Sequence, residues 1–206
     1  IASPDGWHDV PGLPDPQQTT TRGNNVHAYT DRDGNNVPDP GGSPDCGATL
    51  DCSFPMDLTQ PPAAYQAASV AHVFYWANLV HDVQHRYGFD EAAGNFQEHN
   101  YTGQGAGSDS LRAEAQDRAA MAPSINTRNN AFFTTPPDGD RPRLELMAWN
   151  YTAPERDGSL DAGIIVHEYG HGISNRLVGG PGNVNCLANV QQPGEGISDW
   201  LALVYT

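Results

Sequence analysis

Apolar residues fall into two helical stripes and several short strand-like runs, separated by long polar segments. Within residues 63–87, Val70, Phe74, Ala77 and Val80 or His81 recur three and four positions apart, the spacing that buries one face of a helix. Pro61-Pro62 before the stripe and Gly88 after it are start and stop signals. Residues 25–30, 129–135 and 144–151 read as strands, the second ended by Pro136-Pro137-Asp138-Gly139, while residues 113–119 read as strand or helix. A second helix is expected over residues 162–177, capped by Ser159 or Asp161 and stopped by Gly179-Gly180-Pro181. Pro193-Gly194 opens a last helix whose Ile197, Leu201 and Val204 are expected to face inward. Residues 1–62 are rich in Pro, Gly, Asn and Asp and read as loops with short strands. The fold class that follows is α+β.

Composition narrows the partners. Ten basic residues, all Arg, stand against 25 acidic ones, for a formal charge of -15, which repels phosphate backbones. Nucleic acid is not expected as a partner. Membrane is not expected either, because no run of about 18 apolar residues occurs. The Pro-, Gly- and Asp-rich surface suits a secreted, extracellular protein, as does a pair of cysteines, Cys46 and Cys52, able to close a short loop. Cys186 is then expected to be buried and free, or bonded to another chain. Asn100-Tyr101-Thr102 and Asn150-Tyr151-Thr152 are glycosylation acceptor patterns. Residues 1–5 lack the charged start and apolar stretch of a signal peptide, as expected of a mature product cut from a precursor.

Residues 31–39 alternate oxygen-bearing side chains. Asp31, Asp33, Asn35 and Asp39 form a candidate Ca²⁺ loop, although the stretch also reads as a solvated turn, lacking the downstream bidentate Glu of an EF-hand. His81 and His85 share a helical face, but with Asp82 beside them and no further ligands they read as structural.

The strongest chemical signal is His167-Glu168-Tyr169-Gly170-His171. Four residues of helix advance about 400°, so His167 and His171 share one face and can direct nitrogens at one zinc ion. The preceding Ile164-Ile165-Val166 carries these polar groups toward an apolar environment, where metal would compensate them. A third ligand is sought on the next helix, where Glu195 opens Gly194-Glu195-Gly196-Ile197-Ser198-Asp199. Asp199, one turn on, suits a carboxylate that accepts the spare N–H of a ligand histidine. Glu168 is then the base that takes a proton from an attacking water and delivers it to a leaving amine. Zn²⁺ is the expected cofactor, and peptide bonds the expected substrate.

Residues 167–176 and 194–199 resemble the zinc-binding segments of fungalysins, secreted metalloendopeptidases related to thermolysin. Phe74-Tyr75-Trp76-Ala77-Asn78-Leu79-Val80-His81-Asp82, residues 87–97 and Thr135-Pro136-Pro137-Asp138-Gly139 are similar to the same family, and the similarity runs from about residue 61 to 206. The resemblance implies a zincin-like mixed sheet with an active-site helix and a long buried helix, residues 63–206 forming the catalytic domain. It implies a zymogen with an inhibitory propeptide, protein substrates such as elastin, collagen or keratin, and frequently a bound calcium. It also implies that Asn130 and Ala131 lie on the edge strand that pairs with substrate main chain. In the family a mainly helical domain follows the second zinc segment and carries most of the groups that polarise the scissile carbonyl. The C-terminal half of the same precursor is therefore expected as a separate, bound chain. The competing reading is a catalytically incomplete zinc- or calcium-binding fragment acting as a structural module.

Overall fold

The computed structural model describes residues 2–206; Ile1, with which the loop-rich segment 1–62 begins, lies outside them. A mixed sheet is the centre of the fold. Its strands are β1 (Val26–Thr30), β2 (Leu111–Asp117), β3 (Ala131–Thr134), β4 (Arg143–Trp149) and the two-residue β5 (Arg156–Asp157). The order is β1-β2-β4-β3, with β1, β2 and β4 parallel, β3 antiparallel at the edge, and β5 antiparallel to β4. The ambiguous stretch around residue 113 is thus strand, its short alternating run packing from both sides. β1, from the loop-rich segment, pairs directly with β2.

Three helices complete the structure: α1 (Gln66–Arg86), α2 (Ala162–Val178) and α3 (Pro193–Tyr205). The first helix begins later than its apolar stripe suggested. Pro62–Ala64 form a separate 3₁₀ turn, because Tyr65, at φ -133° and ψ 34°, interrupts the helical path. Val70, Phe74, Ala77, Val80 and His81 are all buried on α1. The cap of α2 is Asp161, whose Oδ1 accepts from the backbone N–H groups of Gly163 at 2.9 Å and Ile164 at 3.3 Å. Ser159 lies in the preceding turn and instead accepts from Gln116 N–H.

The helices pack on one face of the sheet around a single core. Val26 and Ala28 of β1, Leu111, Ala113 and Ala115 of β2, and Leu144 and Leu146 of β4 meet Val70, Val73 and Phe74 of α1 and Ile165, Val166, Tyr169 and Ile173 of α2. Period-two alternation leaves Tyr29, Glu114 and Glu145 on the opposite face. The inward face of α3 differs from expectation. Gly194, Ser198 and Leu201 are buried, whereas Ile197 is at the margin and Val204 is exposed. The reason is the contact itself: a Cβ on Gly170 of α2 would meet Ser198 Oγ at 3.0 Å and Leu201 Cδ1 at 3.2 Å, so those residues face α2.

Cys46 and Cys52 form a disulfide. Cys186, in the loop that joins α2 and α3, is free and exposed rather than buried.

The C-terminal half of α2 is anchored by Arg176, which is fully buried. Its guanidinium donates to Asp109 Oδ2 at 2.6 Å and to the carbonyls of Gly94, Pro136, Pro137 and Asp140, and it lies 4.7 Å from the Phe96 ring centroid. Burial pushes the Asp109 carboxyl up to about 6, although Arg176 opposes the shift. Arg176→Leu should cost about 3–5 kcal/mol by stranding that carboxylate. With Arg176 present the Asp109 carboxyl already sits at about 6, and without it the folded-state value rises further, so above about pH 6 the variant goes on losing stability where wild type no longer does. The deficit should therefore widen from about pH 6 to pH 8; thermal melts showing a pH-independent deficit would contradict this account.

Candidate metal centre

His167 and His171 lie one turn apart on α2, and the first turn of α3 brings Glu195 against both. His167 Nε2 and His171 Nε2 are 3.2 Å apart, and Glu195 Oε2 lies 3.3 Å from the first and 3.5 Å from the second. This near-equilateral triangle is the fit expected for zinc. Donors at about 2.0–2.2 Å from a tetrahedral ion are separated by about 3.3 Å. Two imidazole nitrogens face one another here, and at most one of them can donate to the other; a shared cation satisfies both.

His167 Nδ1 is 2.9 Å from Asp199 Oδ1. With the ring proton on Nδ1 donated to that carboxylate, the Nε2 lone pair is free to ligate. Burial lowers the His171 pKa, favouring its neutral, ligating form, although Glu195 opposes the shift. Glu168, between the two histidines, is buried at 8% exposure. Burial raises its carboxyl to about 7; His167 opposes the rise and Glu195 adds to it. A carboxylate poised near neutrality is suited to exchanging a proton.

The edge strand forms the wall opposite α2. Asn130, Ala131, Phe132 and Phe133 line a cleft of about 440 Å³ with His167, Glu168, His171, Asn175 and Glu195. The side chain of Asn130 accepts from Ala131 N–H at 3.0 Å, and its carbonyl accepts from Met147 N–H of β4. Two glycines, quoted in the motif but given no role by sequence reasoning, set this spacing. A Cβ on Gly172 would lie 2.5 Å from Phe133 Cε1 and 2.8 Å from Phe96 Cζ, so only glycine lets β3 seat on α2. Gly170 does the same for α3. Arg176 was also missed; its position in the motif run carries no signal that it is buried.

His81 and His85 do not form a metal group with any other ligating residue among the described residues. His81 is buried, with Nδ1 3.0 Å from Asp82 Oδ1 and Nε2 3.2 Å from Asn95 Nδ2. In the 31–39 loop, Asp31, Asp33 and Asp39 bring oxygens within 4.8 Å of one another. Asn35 Oδ1 is turned to Val37 N–H at 2.8 Å, and Asp39 Oδ2 accepts from Arg32 N–H at 3.1 Å.

A histidine pair flanking a buried carboxylate in a strand-walled cleft is the arrangement of metal-dependent hydrolases built on His-Glu-x-x-His. The family model for Fungalysin metallopeptidase (M36) matches residues 1–206, and the chain belongs to that family. It is similar to extracellular metalloproteinase 4 of Arthroderma gypseum, 41% identical over 185 residues, covering 89% of this chain and 28% of the relative. The protein of that name from Arthroderma otae is 40% identical over 201 residues, covering 97% of this chain and 28% of the relative. For that of Trichophyton soudanense the values are 41% over 186 residues, 89% and 46%. The chain thus spans less than half the length of these curated relatives. No helix is long and apolar enough to cross a membrane.

The Asp199 contact yields a direct test. Asp199→Ala should weaken Zn²⁺ binding about 10–100-fold, measured by competition with a chromophoric chelator; unchanged affinity would show that the contact does not orient His167.

Proposed function

We propose that the chain carries the metal centre of a secreted zinc endopeptidase of zincin-like fold, with residues 63–206 as its catalytic unit. His167, His171 and Glu195 are the zinc ligands, Glu168 is the general base, and Asp199 orients His167. The observation that carries this reading is the triangle of donor atoms, 3.2, 3.3 and 3.5 Å on its sides. Zinc bound there supplies Lewis acidity, lowering the pKa of a water and polarising a carbonyl.

The chain's own groups do the rest. Glu168 takes a proton at its carboxylate from the attacking water as the C–O bond forms, and then returns it to the nitrogen of the leaving amine as the C–N bond breaks. Its burial favours holding that proton between the two steps. The free edge of β3 at Asn130 and Ala131 pairs with extended substrate main chain, which gives affinity with little dependence on side chains. Broad cleavage of protein substrates follows.

The relatives' name, extracellular metalloproteinase, supports export to the extracellular space. An inhibitory propeptide and the C-terminal half of the same precursor are the proposed partners, the latter completing the electrostatic stabilisation of the transition state.

Glu168→Gln separates an enzyme from a metal-holding structural module. The variant should retain zinc by elemental analysis yet hydrolyse casein about 10²–10⁴-fold more slowly, with chelator abolishing the wild-type activity. Equal turnover by variant and wild type would remove Glu168 from its role.

A further inference from the structure

On the sheet face away from the helices, three carboxylates converge in the interior. Asp31 follows β1, and Glu114 and Asp117 belong to β2; all three residues are fully buried, and each brings one oxygen within 4.8 Å of the others. Neither oxygen of Asp117 has a hydrogen-bond partner among the described residues, and Glu114 Oε2 has none either. Asp117 meets only the Arg118 guanidinium, at 3.4 Å. Glu114 Oε1 accepts from Tyr29 Oη at 2.9 Å and lies 3.3 Å from Arg143 Nε.

A local departure from strand geometry creates this convergence. Along β2, Ala113 and Ala115 face the helices, so regular alternation would send residue 116 to the face of Glu114 and residue 117 back to the core. A bulge falls between Ala115 and Asp117, and Gln116 takes a left-handed φ of 54°. Gln116 turns instead toward α1, donating to Asp157 Oδ2 at 2.7 Å and to Pro62 O at 2.8 Å. Asp117 is sent to the side of Glu114. The backbone strain of a non-glycine residue in this region serves to bring a second acid beside the first.

We propose that Asp31, Glu114 and Asp117 hold a buried Ca²⁺ on this face of the sheet. The charge balance supports it. Asp31, Glu114, Asp117 and Glu145 outnumber the guanidinium groups of Arg112, Arg118 and Arg143 around them, and a bound cation offsets the negative charge that is left. Without a cation, burial pushes the Glu114 carboxyl up to about 8 and that of Asp117 up to about 7, each partly opposed by its arginine. Calcium fits better than magnesium. Ligands at 2.3–2.6 Å from Ca²⁺ span up to about 5 Å, which suits oxygens lying within 4.8 Å of one another, whereas Mg²⁺ draws its ligands to about 4 Å across. Asp31 is shared with the 31–39 loop, so the cation ties that loop to the sheet; Asp33, on the same loop, is exposed. This site is independent of the zinc reading.

The test titrates CaCl₂ into metal-stripped protein reloaded with one equivalent of Zn²⁺. Bound calcium after desalting and the thermal midpoint are the readouts. Wild type should retain one more equivalent of calcium than Asp117→Asn, and its midpoint should rise by about 5–10 °C at calcium a hundredfold above its dissociation constant. Asp117→Asn removes a buried charge and should melt no lower than wild type without calcium, while losing the calcium response; Glu114→Gln should behave alike. Asp33→Asn, on the exposed loop, should keep the response. No calcium response in wild type, or one lost in Asp33→Asn but kept in Asp117→Asn and Glu114→Gln, overturns the proposal.

Discussion

α2 can hold two imidazoles at the margin of an apolar core because two other parts of its surface have been stripped of side chains. Gly170 admits α3 and Gly172 admits β3: a methyl group at Gly172 would collide with Phe133 and Phe96, and one at Gly170 would press on Ser198 and Leu201 until they gave way. The close approach of α3 brings Glu195 within reach of both histidines, and that of β3 turns a bare helix face into one wall of a cleft. Two glycines in a helix interior carry a propensity cost of about 1 kcal/mol each. Packing offsets it, through Leu201 and Ser198 on one side and the Phe96, Phe133 and Tyr169 rings on the other.

Arg176 completes the seating of the same helix from its far end. The guanidinium draws together carbonyls from loops around residues 94, 136, 137 and 140, segments that otherwise have no regular structure to satisfy them. A lysine, with three donors radiating from one nitrogen, cannot replace this planar fork. The helix therefore has an apolar face in the core, a stripped surface against its neighbours and a charged terminus fastened to loops. Its motif occupies what remains.

Much of this was legible in the sequence. The spacing of His167, Glu168 and His171 is set by helical periodicity, and Glu195 with Asp199 follows from the next helix having the same periodicity. The apolar stripe of α1 and the runs that became β1, β3 and β4 were visible for the same reason. Features decided by contact between distant segments were hidden. Nothing local distinguishes Ser198 from Ile197 as the residue facing inward, because Gly170 selects it from another helix. Nor does any pattern in residues 111–117 announce the bulge at Gln116, whose side chain finds its partners at Pro62 and Asp157. Asp31 was read as part of a loop, whereas its buried neighbours belong to a strand more than eighty positions later.

The parallel pairing of β1 with β2 and of β2 with β4 bears on how the molecule assembles. Val26 pairs with Leu111, and Arg112 with Arg143, so the sheet joins only after long stretches of chain have been brought together. The hairpin of α2 and α3, by contrast, closes across residues 179–192, a smaller separation than that of the paired strands. Chain entropy thus favours the hairpin that carries His167, His171 and Glu195 forming early and the strand wall late, and the time taken to bring the two together is set by the sheet.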